Sequence, residues 1–250
     1  MKAAVREQTI ISMLETRGRM SVNDLSGLLN ISVSALRKQL AVMEEKGFVI
    51  RTYGGVMAVN QVPDESFESK RHKSVAEKML IASRARSLIP NNAAVALGAG
   101  TTIYSLCNLL SDMTGGTIYT NSMQASDYLS HCAALDVHIC GGIIRSHTGT
   151  LIGNEARNFL SNIQVDYAFI SCDAIDSSGS VYSDNLAVAI SEQAILNCAK
   201  NKYILCDSSK LGRSSVGKIT NLSECTALIT DKGSSNFAER FNLITNVIIV

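Results

Sequence analysis

The chain of 250 residues has two prolines, no Cys-x-x-Cys pair and almost no net charge. No apolar run approaches the roughly 18 residues that cross a bilayer, which argues against a membrane-spanning segment. The polar, charged N-terminus does not read as a secretory leader, so the expected location is the cytoplasm. The seven cysteines, Cys107, Cys132, Cys140, Cys172, Cys198, Cys206 and Cys225, are odd in number and mostly flanked by apolar residues. Their spacing fits neither a disulfide framework nor a metal site, and they read as buried thiols in a reducing compartment. With 23 Lys plus Arg against 22 Asp plus Glu, the net charge of +1 neither demands nor forbids a nucleic acid partner. Also missing are an internal repeat and a low-complexity tract.

What is present is a folding composition, 46% hydrophobic and 18% charged, on a chain long enough for two unequal domains. Pro63 stands in Gln61-Val62-Pro63-Asp64-Glu65-Ser66, between an apolar strand-like run and a charged helix-like one, and marks the expected linker. The expected domains are residues 1–60 and 61–250. Beyond the linker, short apolar runs at 93–97, 117–120, 136–140, 166–171, 202–207, 227–230 and 246–250 read as strands. Helical runs at 101–111, 123–131, 154–163 and 186–200 fall between several of them. That alternation predicts an α/β fold, a Rossmann-like and mainly parallel sheet covered on both faces.

The first 60 residues carry 8 basic against 5 acidic side chains, a modest local excess. Ile10, Ile11 and Leu14 share one face of a first helix that Gly18 ends. Ser21-Val22-Asn23-Asp24 resembles a capping box opening a short helix through Leu29, and Ser32 is placed to cap another with Leu36, Leu40 and Met43 inward. Two short helices joined this way predict a helix-turn-helix, whose second helix enters the major groove. Residues 48–59 read as a hairpin around Gly54-Gly55, which makes the unit a winged helix. The expected contacts to double-stranded DNA are Ser32, Ser34, Ala35, Arg37, Lys38 and Gln39 on the helix, with Arg51 and Tyr53 on the wing. The competing reading is a helical bundle whose basic residues are merely solvated.

In the second unit, Ala96-Leu97-Gly98-Ala99-Gly100-Thr101-Thr102 reads as a strand end, a glycine turn and a helix start. A dinucleotide fingerprint needs a third glycine where Ile103 stands and an acid near the end of the next strand, where Thr120 stands. No cofactor is therefore expected. A single phosphate suits the turn better, held by freed backbone N–H groups, the Thr101 and Thr102 hydroxyls and the positive end of the helix. The alternative is a glycine needed only for close packing. Thr120-Asn121-Ser122, Gly141-Gly142, Asp173 and Asp207-Ser208-Ser209-Lys210 follow other apolar runs, where the carboxyl ends of parallel strands gather around ligands. The expected effector site is Gly98, Gly100, Thr101, Thr102, Asn121, Ser122, Gly141, Gly142, Asp173 and Lys210.

The first unit also resembles a known family in Ser21-Val22-Asn23-Asp24-Leu25, in Asn30-Ile31-Ser32-Val33-Ser34-Ala35-Leu36-Arg37-Lys38-Gln39-Leu40, and in Arg51-Thr52-Tyr53-Gly54-Gly55. These stretches are similar to the DeoR family of bacterial sugar-metabolism repressors. The family has Thr-Ile-Arg-Arg-Asp-Leu in its recognition helix and usually His before the paired glycines; Ala35, Leu36, Lys38, Gln39 and Tyr53 depart from that pattern. Gly100-Thr101-Thr102, Thr120-Asn121-Ser122, Gly141-Gly142, Asp173-Ala174-Ile175-Asp176, Asp207 to Arg213 and Thr230-Asp231 resemble the family's effector domain in order. Gly98-Ala99 stands where the family commonly has Asp-Ser, and Asn185-Leu186-Ala187 where an acidic cluster often opens the later helix.

The resemblance implies a winged helix on operator DNA, an effector domain similar to sugar-phosphate isomerases, a phosphorylated sugar or polyol that releases the repressor, and a homo-oligomer. The alternative is an isomerase, which would need a base such as Asp173 or Glu192. The sequence places no convergent acid and base pair beside them, so a regulator without a metal or a catalytic site is expected.

Overall fold

The computed structural model of the protein describes residues 3–17, 19–45, 48–52, 55–58 and 65–250. The chain divides into two compact units, Met1–Asp64 and Glu65–Val250.

The first unit opens with α1 (Ala3–Arg17), α2 (Val22–Leu29) and α3 (Val33–Glu45), followed by β1 (Val49–Thr52) and β2 (Gly55–Ala58). Ser21 begins α2 as its sequence predicts, its hydroxyl oxygen accepting the Asp24 N–H at 3.0 Å. Only half of a capping box forms, because the Ser21 hydroxyl itself donates to Asp24 Oδ2 at 2.7 Å. Asn30 ends α2 in the left-handed region, φ 50°, and turns the chain into α3, where Ser32 accepts the Ala35 N–H. Ile10, Leu14, Leu25, Leu36, Leu40, Met43, Val49 and Val56 are buried together. Each such burial removes enough apolar surface from water to stabilise the unit by about 1.5–3 kcal/mol. The antiparallel pair β1–β2 is extended by Met20, which exchanges backbone hydrogen bonds with Val56. That approach requires Gly55, since a Cβ there would lie 2.6 Å from the Met20 carbonyl oxygen. Gly18, Tyr53, Gly54 and the expected linker around Pro63 lie outside the described residues.

The second unit begins with α4 (Phe67–Arg71) and α5 (Val75–Arg86). Its sheet strands are β3 (Ala94–Leu97), β4 (Gly116–Thr120), β5 (Leu135–Ile139), β8 (Val165–Ser171), β11 (Ala199–Leu205), β13 (Ala227–Thr230) and β14 (Asn246–Ile249). All are parallel and run in the order β14-β13-β11-β8-β3-β4-β5. The helices α6 (Thr101–Leu110), α7 (Met123–Ser130), α8 (Asn154–Ser161), α9 (Leu186–Asn197) and α10 (Ser235–Phe241) cover it. Alternate residues of one strand serve two cores: Val95, Leu97 and Phe169 pack with Ile81, Ile103 and Leu106, whereas Ala96, Ala168 and Ile170 pack with Leu160, Ile195 and Phe241. Burial on both faces is why β3 and the centre of β8 read as apolar runs.

Two features correct the sequence expectation. The helix expected to reach residue 200 stops at Asn197, and β11 starts at Ala199, because its pairing with β8 runs back to Ala199 opposite Val165. The hairpin of β6 (Ile143–Arg145) with β7 (Thr150–Ile152), and the small antiparallel sheet of β9 (Ala174–Ile175), β10 (Ser180–Ser183) and β12 (Gly217–Asn221), were not expected.

Candidate functional site

In the first unit, α3 buries Leu36, Leu40 and Met43 and leaves Ser34, Ala35, Arg37 and Lys38 exposed on the opposite side. Ser32, also exposed, has its hydroxyl 3.2 Å from that of Ser34 while capping the helix. Gln39 differs from the others, being half-buried with its amide oxygen accepting from Arg6 at 3.3 Å. Arg51 on β1 is exposed, its backbone N–H donating to Glu44. Tyr53 lies outside the described residues.

In the second unit the sheet order brings the carboxyl ends of β3, β4, β8 and β11 to one edge. Gly98 follows β3 and donates its N–H to Phe169 O at 2.9 Å, so β3 keeps its strand pairing beyond Leu97. A Cβ on Gly98 would overlap the carboxylate of Glu192, which reaches this edge from α9. Gly100 has φ 114°, and a Cβ there would meet the Ser171 hydroxyl. It precedes α6 without any side-chain cap, so the first-turn N–H groups of Thr101 and Thr102 meet no capping acceptor. Both threonines are buried, and the Thr102 hydroxyl has no hydrogen-bond partner.

Asn121 is fully buried after β4; its amide nitrogen donates to Glu192 Oε1 at 3.2 Å and its Oδ1 has no partner. Ser122 is occupied locally, capping α7 by accepting the Ala125 N–H. Gly141 and Gly142 are exposed and open the β6–β7 hairpin, where the φ of 132° at Gly142 suits only glycine.

Asp173, after β8, accepts from Lys70 Nζ at 2.7 Å, from the Ser183 hydroxyl at 3.1 Å and from the Asp184 N–H at 3.0 Å. Burial works to raise its carboxyl, but the Lys70 and Lys210 cations and these hydrogen bonds outweigh it and hold the group below its ordinary range. Lys210 donates to the Cys172 carbonyl at 2.8 Å and stands 3.9 Å from Asp207. Arg145 is partly buried; burial pushes its guanidinium down and Asp173 opposes that.

Lys70 and Lys78 were missed at the sequence level, where they lay in a run read only as a charged helix. Lys78, on α5, is 3% exposed, and its Nζ donates to the Lys70 carbonyl. Among the described residues it forms no ion pair; burial followed by the nearby Lys210 cation pushes it down, outweighing the Asp207 and Glu65 carboxylates that act the other way. Glu192 carried a faint signal as the only acid in the apolar helix α9. Among the described residues no group of His, Cys, Asp and Glu is placed to hold a metal.

The chain matches the DeoR C terminal sensor domain over residues 73–232 and the DeoR-like helix-turn-helix domain over residues 6–62. It belongs to the DeoR family. It is 30% identical over 231 residues to a putative aga operon transcriptional repressor of Escherichia coli O157:H7, covering 91% of this chain and 86% of that one. It is 28% identical over 227 residues to the HTH-type transcriptional repressor CsqR of Escherichia coli (strain K12), covering 91% and 87%. A glycerol-3-phosphate regulon repressor of Haemophilus influenzae is 27% identical over 230 residues, covering 92% and 90%. These relatives regulate transcription, and this DeoR-family member is a DNA-binding regulator with a sensor domain rather than an enzyme. No helix among its described residues is long and apolar enough to cross a membrane.

Proposed function

We propose that this DeoR-family regulator represses a sugar or polyol utilisation operon in the cytoplasm and leaves its operator when a phosphorylated sugar or polyol binds the second unit. The observation that carries the effector reading is Lys78, a buried ammonium that forms no ion pair among the described residues and lies near the Lys70 carbonyl and the Lys210 cation, in the unit whose helix α6 starts without a side-chain cap. A buried charge is costly unless paired, so the missing partner is an anion. The open amides of the α6 first turn and the Thr101 and Thr102 hydroxyls add donors suited to phosphate oxygens. Asp173, Asn121 and the glycine turn at Gly98 and Gly100 supply the sugar side of the site, with Ser122 and Gly141-Gly142 at its border.

On DNA, Ser32, Ser34, Ala35, Arg37 and Lys38 face the major groove, with Gln39 at the margin and Arg51 and Tyr53 on the wing. Two copies of the chain reading repeated half-sites complete the operator complex. The ligand releases DNA by binding the DNA-free conformation more tightly.

Fluorescence anisotropy on promoter DNA tests this. Glycerol 3-phosphate is the first probe, given the name of one relative, followed by pentose, hexose and hexitol phosphates beside their unphosphorylated parents. At least one phosphate should weaken DNA binding, and Lys78→Met and Lys210→Ala should blunt that response while leaving ligand-free DNA binding intact. If no phosphate acts on the wild-type protein, or both variants respond as it does, the effector reading fails. Arg37→Ala should weaken operator binding by about 1–3 kcal/mol if that side chain reads a base.

A further inference from the structure

Glu192 is 2% exposed, and its carboxylate fills the volume that any side chain at position 98 would take. Oε1 is satisfied, accepting from the Ala99 N–H at 3.0 Å and from Asn121 Nδ2 at 3.2 Å. Oε2 has no partner, and neither has Asn121 Oδ1. An unmade hydrogen bond on a buried acceptor costs about 1–3 kcal/mol, and most buried polar atoms avoid it. Here two open acceptors belong to side chains hydrogen-bonded to each other, at the edge that also holds Asp173 and Lys210.

We propose that Glu192 Oε2 and Asn121 Oδ1 are the specificity-determining pair of the sensor site, receiving two hydroxyl hydrogens from adjacent carbons of a sugar or polyol. This rests on the effector reading given above. Two acceptors call for two donors. An ammonium group would also donate, but Lys70, Lys78 and Lys210 at the same edge repel one. A neutral diol carries the donors without the charge and leaves the cations to the ligand's phosphate.

Burial pushes the Glu192 carboxyl up to about 7, against the lowering effect of the Ala99 and Asn121 hydrogen bonds. The groups that act on it are the Ala99 N–H from the β3–α6 turn, Asn121 after β4, Cys140 after β5 and Asp173 after β8. Hydroxyl donors favour the ionised carboxylate, so the ligand binds with release of a proton and binds more tightly as pH rises through neutrality.

Isothermal titration of the full-length protein separates the two halves of the site. The probes are inorganic phosphate, propyl phosphate, glycerol 3-phosphate and D-ribose 5-phosphate, the last two carrying adjacent hydroxyls. A hydroxylated phosphate should bind at least about tenfold more tightly than propyl phosphate, the factor that one hydrogen bond commands. Glu192→Gln keeps the shape, places an amide nitrogen where an acceptor stood, and should erase that preference and its pH dependence while inorganic phosphate still binds. Gly98→Ala, which displaces the carboxylate without removing it, should give the same loss. Equal binding of propyl and hydroxylated phosphates by the wild-type protein, or a preference that survives both variants, overturns the diol pair and leaves the phosphate site standing. If no probe binds, inorganic phosphate included, both readings fall.

Discussion

Gly98 acts through the side chain it does not have. Its position was legible in the sequence as part of a glycine turn, and Gly98-Ala99 was legible as a departure from the family pattern. What fills the space was not, because Glu192 lies 94 positions away and meets Gly98 only through the packing of α9 against the sheet edge. The same holds for Lys78, whose burial beside the Lys210 cation is a fact of three dimensions. Glu192 has a stability consequence of definite sign. Its folded value of about 7 exceeds its ordinary 4.5, so the folded state holds this proton more tightly than the unfolded chain does. The resulting stabilisation is complete below about 4.5, declines as pH rises and is gone above about 7. Glu192→Gln, which never ionises, should therefore gain in melting temperature relative to wild type between about pH 5 and about pH 8. Thermal melts of both proteins across that range check it; a constant difference contradicts the raised carboxyl.

At the scale of elements, the central strands β3 and β13 begin and end close to where the apolar runs do, since a strand buried on both faces has no polar alternation to blur it. The short antiparallel pieces β6, β7, β9, β10 and β12 left no such trace. Ile143 and Ile144 of β6 are exposed, and β9 spans two residues, too few for a period to show. Helix starts were legible where a side chain caps them, as at Ser21. Ser21→Ala should cost about 1 kcal/mol and lower the melting temperature of the first unit, because it leaves the Asp24 N–H without its acceptor. Calorimetry should find the second unit unchanged. α4 also has a local cap, Ser66 accepting the Ser69 N–H, but the contacts that seat it are tertiary: Phe67 donates its N–H to His147 O and packs edge-on against Tyr104, over which Arg71 also lies. None of these tertiary partners is near in sequence, so only a charged helix-like run was foreseen there.

For the whole molecule, the two family matches, over residues 6–62 and 73–232, lie on either side of the change of pattern near Pro63. A ligand confined to the sensor should raise only the sensor's unfolding transition, by about 2.7 kcal/mol at a hundred times its dissociation constant. Scanning calorimetry with and without the active phosphate checks this, and a matching rise in the first unit would refute it. The strand order carries one more consequence, in time rather than in space. β3 and β8 are neighbours in the middle of the sheet, yet Val95 pairs with Tyr167, 72 residues further on. A ribosome therefore releases the whole DNA-binding unit, then β3, β4 and β5, before the strand that closes the open side of β3 exists. The early unit closes over local contacts and folds fast, whereas the late one waits for a distant partner and folds slowly. During synthesis this regulator completes its means of finding DNA before it completes its sensor domain.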